Sequence, residues 1–507
     1  YRPWSAKDFL GALPPSARCI AVLDRTKEPG APAEPLCLDV AQTLSDAFAR
    51  GQRPNFPLVI GGRYGLSSKE FSPAMAKAVF DHLAQEEPHS GFTVGIIDDV
   101  CGTSLPVDSG FDIEAPGIHR ALFFGLGADG TVGANKNSVK ILAEDPDRYA
   151  QGYFVYDSHK SGAETISHLR FGNAPIAAPY LLQSADFIGV HKFDFLQKRD
   201  VLAAARPGAI VLINAPYEAA SVWGQLSRPA QQQIIEKNLR LFVIDASGLA
   251  QRLGLGPRVN TILQTCFFAI SGVLPREEGI RRIRESIEKA YGDKGKAVLE
   301  KNFAAVDTAV EHLHEVAVPK AVTSTEELRV FVPADAPDQI RRIAALQFAG
   351  RGDDIPVSAI PADGSYVGGT TQYEKRNVAF AVPLWKPDLC IQCGQCSIVC
   401  PHSVIRAKAY DGALLEGAPE GFPSAQVNER GHPDKRFTLQ IAVEDCTGCG
   451  ICIDHCPAHD PLEPGVKAIN LSERLPLVEA GRRELAFFES LPEHRREQVD
   501  LHLSRGL

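Results

Sequence analysis

The chain has 507 residues, 44% hydrophobic and 23% charged, with a formal net charge of −9. That length exceeds what one hydrophobic core serves and implies three or four domains. It carries no long basic run and no stretch near ~18 consecutive apolar residues, which excludes nucleic acid and a membrane span as expected partners. The opening Tyr1-Arg-Pro-Trp-Ser is no signal peptide, and the only methionine is Met75. A piece of a longer polypeptide is the expectation.

Residues 1–112 alternate apolar strands with helices. Strands are predicted at 18–24, 57–60 and 92–98, and Ser72-Pro73 reads as an N-cap and first-turn proline opening a helix through Met75 and Val79. The pattern implies a small, mainly parallel sheet with helices outside. Residues 113–325 repeat it on a larger scale, with strands at 121–124, 152–156, 186–190, 209–213 and 241–244 and a helical pattern over 280–290. Residues 326–377 are richer in Pro, Gly and Asp and form a small connecting module, 378–485 carry the cysteine runs, and 486–507 lead onward. The expected fold class is multidomain α/β. It comprises two α/β domains, the connecting module and a C-terminal ferredoxin-like α+β domain of the bacterial two-cluster type.

Within the second domain, Gly125-Leu-Gly127-Ala-Asp129-Gly130-Thr131-Val-Gly133 follows a strand and contains G-x-G-x-x-G. Glycines there permit φ > 0 and let a pyrophosphate approach backbone N–H groups at a helix N-terminus. A ligand-free tight turn gives the same pattern. Asp157 comes late for an NAD ribose contact, while Lys136, Lys140 and Lys160 suit more phosphate than NAD carries. Coenzyme A and NADP fit alike. Asn135 and Asn137 follow Asp129-Gly130 too soon for a thiamine diphosphate motif.

Eight of the twelve cysteines form two runs, Cys390-x2-Cys393-x2-Cys396-x3-Cys400-Pro401 and Cys446-x2-Cys449-x2-Cys452-x3-Cys456-Pro457. This is the spacing that holds two [4Fe–4S] clusters, with each fourth cysteine reaching the other cluster. Cys390, Cys393, Cys396 and Cys456 are therefore assigned to one cluster. Cys446, Cys449, Cys452 and Cys400 are assigned to the second. Zinc has no use for a third and fourth cysteine at these offsets, and a disulfide framework would scatter them. Cys266, inside Thr-Ile-Leu-Gln-Thr-Cys-Phe-Phe, reads as a core thiol, and Cys19, Cys37 and Cys101 sit in no motif. Oxygen-labile clusters and no disulfide framework point to a reducing, cytoplasmic compartment, with an organelle as the alternative if a leader has been lost.

Together with Val22-Leu-Asp-Arg-Thr-Lys-Glu-Pro-Gly30, Gly62-Arg-Tyr-Gly-Leu-Ser-Ser-Lys-Glu-Phe71, Tyr156-Asp-Ser-His-Lys-Ser-Gly162 and Gln372-Tyr-Glu-Lys-Arg376, these motifs resemble the pyruvate:ferredoxin (flavodoxin) oxidoreductase family along essentially the whole chain. The resemblance implies a transketolase-C-like domain at 1–112, a gamma-type, coenzyme A-contacting domain at 113–325, a module with the Glu-Lys-Arg signature at 326–377 and the two-cluster domain at 378–485. By the same resemblance, 486–507 lead to an absent thiamine domain. Ala128, Asp129, Gly130, Thr131, Val132, Lys160, Asn260 and, more loosely, Lys301 would contact coenzyme A as substrate. Thiamine diphosphate, Mg2+ and a third [4Fe–4S] cluster would belong to missing parts, so no catalytic residue is assigned here and the chain alone should not oxidise pyruvate. The family implies pyruvate oxidation to acetyl-CoA and CO2, ferredoxin or flavodoxin as acceptor, docking to the remaining thiamine domains, and a homodimer. Rival readings are a stand-alone iron–sulfur subunit, another 2-oxoacid, or NADP as final acceptor.

Smaller motifs read as structural first. Lys375 and Arg376 are expected to hold the cluster domain in place rather than tune its clusters. Asp24 to Glu28 with Pro29-Gly30 form a turn, and Asp98-Asp99 serve as a cap or domain contact. His159 lacks a nucleophile nearby, and His455 is a polar neighbour rather than a ligand.

Overall fold

The computed structural model describes residues 2–127, 129–157, 163–256, 258–292, 295–329, 332–375, 377–379, 381–428 and 434–493. They form two compact units, one reaching Tyr373 and the other starting at Glu374, so the division falls inside the segment read as a connecting module.

The first unit begins with α1 (Ala6–Ala12), β1 (Cys19–Asp24), α2 (Pro35–Ala49), β2 (Leu58–Arg63), α3 (Pro73–Leu83) and β3 (Phe92–Thr93). The three strands are parallel, in the order β1-β2-β3. Asp24 ends β1 and its carboxylate accepts from Leu36 N at 3.0 Å and Cys37 N at 3.1 Å, anchoring the start of α2. Ser72 caps α3 through Met75 N at 3.4 Å, with Pro73 in the first turn as expected. The strand expected over 92–98 stops at Thr93. Gly95 turns the chain at φ 69°, and Asp98 gathers the N–H groups of Val100, Cys101 and Thr103 into a loop. Asp99 meets Ser358 of the connecting segment, accepting its N–H at 2.9 Å.

A larger sheet follows. Its elements are β4 (His119–Leu126), α4 (Thr131–Ala143), β5 (Tyr149–Tyr156), β6 (Glu164–Gly172), β7 (Ala185–Val190), α5 (Phe195–Lys198), β8 (Ala205–Asn214), α6 (Arg228–Glu236), β9 (Arg240–Ile244), α7 (Ala246–Arg252), α8 (Asn260–Ile270), α9 (Arg276–Tyr291), α10 (Lys296–Glu311) and β10 (His314–Glu315). The order is β10-β9-β8-β7-β4-β6-β5, with β4, β7, β8 and β9 parallel and the outer strands antiparallel. Both faces are covered, and alternate residues go to opposite cores. Phe123, Phe187 and Leu212 pack with Phe267 and Ile262 on one face. Leu122, Ile188, Val211 and Ile213 pack with Trp223 on the other.

β6 was not anticipated, because its sequence is polar. Arg170 is only 1% exposed and is neutralised there by Glu114 at 2.7 Å, with Gln151 and Tyr180 taking its other N–H groups. α8 is buried along eight consecutive residues, which removes the amphipathic signal a surface helix would show. Cys266 lies inside it as the expected core thiol, and burial pushes its pKa up to about 12. Short irregular turns and α11 (Ala345–Phe348) complete the unit.

The second unit contains β11 (Ala381–Trp385), α12 (Gln395–Val399), β12 (Ile405–Asp411), β13 (Ala425–Gln426), β14 (Lys435–Ile441), α13 (Ile451–Asp454), β15 (Ile469–Glu473) and α14 (Val478–Ser490). β11 pairs antiparallel with β15, and β12-β14-β13 form a second antiparallel sheet. Trp385, Leu439, Ile441 and Ile469 pack with the cysteine loops in one core. No helix of the described residues is long and apolar enough to cross a membrane.

Candidate cluster sites and the glycine loop

The two cysteine runs fold alike because both loops need left-handed backbone at matching positions. Gln392 and Gly448 sit at φ 56° and 70°, and Gly394 and Gly450 at φ 71° and 79° open α12 and α13. The turn aims N–H groups inward. Gln392 N lies 3.4 Å from Cys390 Sγ, and Gly448 N lies 3.4 Å from Cys446 Sγ. Gln392 is no glycine, and its side chain compensates for the backbone it adopts. Its Nε2 donates to Gln426 O at 2.6 Å and its Oε1 accepts from Asn428 N at 2.9 Å.

The loops enclose two hollows. One, of about 380 Å³ including space open to solvent, is lined by Cys390, Cys393, Cys396 and Cys456 with Trp385 and Phe437. The other, of about 340 Å³, is lined by Cys400, Cys446, Cys449 and Cys452 with Pro383 and Val404. Each hollow thus takes three cysteines from one run and the fourth from the other. Among the described residues, no three His, Cys, Asp or Glu side chains converge where a single ion would sit. Four cysteines around each hollow, with the third and fourth at offsets that one zinc ion would not use, suit a multi-iron cluster.

Burial, and then the neighbouring Cys390 and Cys393 thiols, push Cys396 up to about 11. Burial, then Cys446 and Cys449, push Cys452 up to about 12. Burial likewise raises Cys446 to about 11, against the pull of the Gly448 N–H. Four thiolates crowded in an apolar hollow need cations between them, and iron in a cluster supplies that charge. His455 bonds Ile451 O at 3.0 Å, its own helix, and lines neither hollow. His402 does line the second hollow, and nothing in the sequence had singled it out.

In the larger sheet, the glycine loop leaves the C-terminal end of β4 beside β7. The chain turns to opposite sides of the sheet there, and open α/β sheets bind ligands at such a place. Asp129 shapes the loop, its carboxylate accepting from Leu126 N and Thr131 N, both at 2.8 Å. Gly130 stands at φ 84°, and a Cβ there would lie 3.0 Å from Asn260. The fold therefore brings Asp129, Gly130, Thr131 and Val132 together with Asn260, the first residue of α8. Lys301 lies beside the loop that leads into α8, its Nζ 3.1 Å from where a Gly254 Cβ would stand. Ala128, Lys160 and His159 lie outside the described residues.

Thr131 is fully buried, and its Oγ1 meets His191 Nδ1 at 2.6 Å. Burial lowers the His191 pKa to about 4, against the attraction of Asp129. His191 is thus a neutral prop beneath the loop, one that sequence reasoning missed. Lys136 stacks over Phe154 at 5.4 Å, a packing role within the domain.

Comparison with known proteins identifies the domains. Residues 120–312 match the pyruvate ferredoxin/flavodoxin oxidoreductase model, 325–379 a domain of unknown function termed EKR, and 389–459 the 4Fe-4S dicluster domain. Residues 120–312 are thus a pyruvate ferredoxin/flavodoxin oxidoreductase domain, and the chain is similar along its length to enzymes named for that activity. It is 50% identical over 99% of its length to a putative pyruvate-flavodoxin oxidoreductase of Synechocystis sp.. It is 46% identical over 97% of its length to a pyruvate:ferredoxin oxidoreductase of Moorella thermoacetica, and 44% over its full length to a probable pyruvate-flavodoxin oxidoreductase of Escherichia coli. The chain spans 42%, 41% and 43% of these three relatives, respectively. The dicluster match covers all eight cysteines of the two hollows and makes this an iron–sulfur chain.

Proposed function

We propose that this chain is the electron-relaying and coenzyme A-contacting portion of an enzyme that oxidatively decarboxylates pyruvate to acetyl-CoA and CO2. Ferredoxin or flavodoxin accepts the electrons. The names of the relatives support the reaction, the family resemblance adds a homodimer, and oxygen-labile clusters favour the cytoplasm. Thiamine diphosphate, Mg2+ and a third cluster are placed in the rest of the enzyme.

One observation carries the relay reading: four cysteines drawn from both runs line each hollow. In this proposal Cys390, Cys393, Cys396 and Cys456 hold one [4Fe–4S] cluster, and Cys446, Cys449, Cys452 and Cys400 hold the other. Bound there, such clusters supply one-electron transfer. The chain fixes their positions and shields them in an apolar core. The glycine loop, Asn260, Lys160 and Lys301 meet coenzyme A. The first-turn N–H groups of α4 face its phosphates, while Asp129 keeps its carboxylate turned to the loop's own amides.

Two measurements test this. Anaerobically prepared protein is expected to hold about eight irons, as two four-iron clusters require. Cys400→Ala then abolishes the reduced-state EPR signal that Cys449→Ser also perturbs, and leaves the other intact. Loss of the opposite signal refutes the crossed assignment. Calorimetric titration with coenzyme A is expected to show binding, and no heat at high protein concentration supports the rival stand-alone carrier.

A further inference from the structure

The segment matched to the domain of unknown function ends at residue 379, yet its last residues fold with the cysteine loops. Lys375 Nζ pairs with Asp445 at 2.8 Å. Asn377 is 3% exposed and stands at φ 53°, a left-handed conformation that asparagine tolerates better than most residues. Its N–H donates to Glu444 O at 2.8 Å, and its Nδ2 donates to Glu444 Oε1 at 3.3 Å. Arg482 grips the same carboxylate with two N–H groups, at 2.8 and 2.7 Å. Arg474 donates to Asn377 Oδ1 and to Ala379 O, both at 2.8 Å.

Glu444 and Asp445 immediately precede Cys446. Gly448, two residues beyond it, lies against the same tail: a Cβ there would come within 2.9 Å of Ala381 O and 3.2 Å of Ala379 Cβ. The second cysteine loop is thus held on both sides of Cys446 by Lys375, Asn377, Ala379 and Ala381. The first loop is supported elsewhere, because Gln392, the counterpart of Gly448, is tied to residues 426–428. Two loops with the same cysteine spacing rest on different supports.

We propose that the tail of this module, through Lys375 and Asn377, is a positioning clamp for the second cluster alone. Lys375 also places a cation beside that loop, where it favours the more negative, reduced state. The inference rests on the crossed cluster reading above.

The test uses the 507-residue chain reconstituted anaerobically with iron and sulfide. Cys449→Ser first marks the EPR signal of the second cluster. Lys375→Met is expected to keep both signals and lower the midpoint potential of the marked one only, while Lys375→Arg restores it. Asn377→Ala is expected to release iron from the marked cluster several-fold faster under chelator, with the other unchanged. Equal effects on both clusters, or an effect on neither, in protein that retains two clusters overturn the clamp alone. Unsubstituted protein that never forms two clusters overturns the underlying reading, and the clamp with it.

Discussion

Gly125→Ala tests whether the floor of the glycine loop is as tightly built as it looks. Gly125 lies on β4 directly beneath Thr131, and a methyl group there would be driven into the Thr131 hydroxyl and come within 2.7 Å of its Cβ and Cγ2. Thr131 cannot swing aside, because it is fully buried and its Oγ1 is tied to His191. Overpacking of this kind costs about 1–3 kcal/mol. If α4 takes that strain, its amides exchange with solvent roughly 5–150-fold faster, since about 1.4 kcal/mol is a factor of ten. Hydrogen exchange followed by mass spectrometry reads peptides spanning Thr131–Ala143 directly. Thr131→Ala removes two of the three obstructing atoms, so the double substitution should be less damaging than the sum of the singles, by about 0.5–3 kcal/mol. Unchanged exchange in Gly125→Ala, or strict additivity in the pair, refutes the packing argument. Coenzyme A affinity should fall with α4 order, and unaltered affinity beside faster exchange detaches the loop from the ligand.

Glu114→Ala strands the buried Arg170 guanidinium and should cost about 3–5 kcal/mol, seen as an earlier urea transition by circular dichroism; a shift worth under 1 kcal/mol contradicts that pairing. Burial lowers His168 and His191 to about 4, so the unfolded chain takes up their protons first as the medium is acidified. Their contribution is complete above the ordinary histidine pKa of about 6.5 and is lost as pH falls towards about 4. Thermal melts should show that decline, and His168→Gln should flatten it. Gln392→Ala cuts the tie to Gln426 and Asn428 and should loosen the first cluster only, the mirror of the Asn377 result, with EPR as the readout.

What the sequence revealed and what it hid divide along locality. Cluster loops are written in one short stretch, because cysteine spacing and left-handed glycines act within a turn; the cysteine runs and the 125–133 loop were legible for that reason. β6 was hidden because Thr165, Ser167, His168 and Arg170 are buried polar residues, and the partners of His168 and Arg170 lie on other segments. α8 was hidden by burial on all sides, which erases helical periodicity. The strand expected at 92–98 was overcalled, because apolar Val94 and Ile96 are buried within a loop that Asp98 organises. His191 had no signature at all, as a single histidine after a strand becomes a prop only when β4 and β7 lie side by side. The Glu444 network joins residues 377, 444, 474 and 482, a constellation that only the tertiary fold assembles.

The interlaced sulfurs also carry a mechanical consequence. In the proposed assignment, clusters in the two hollows would tie Cys390 to Cys456 and Cys400 to Cys446, so each would close a long loop as a disulfide does. Neither cluster could be completed before both ends of that loop have met. Air that strips the iron would cut two staples along with the wire, leaving the fold slack as well as electrically silent.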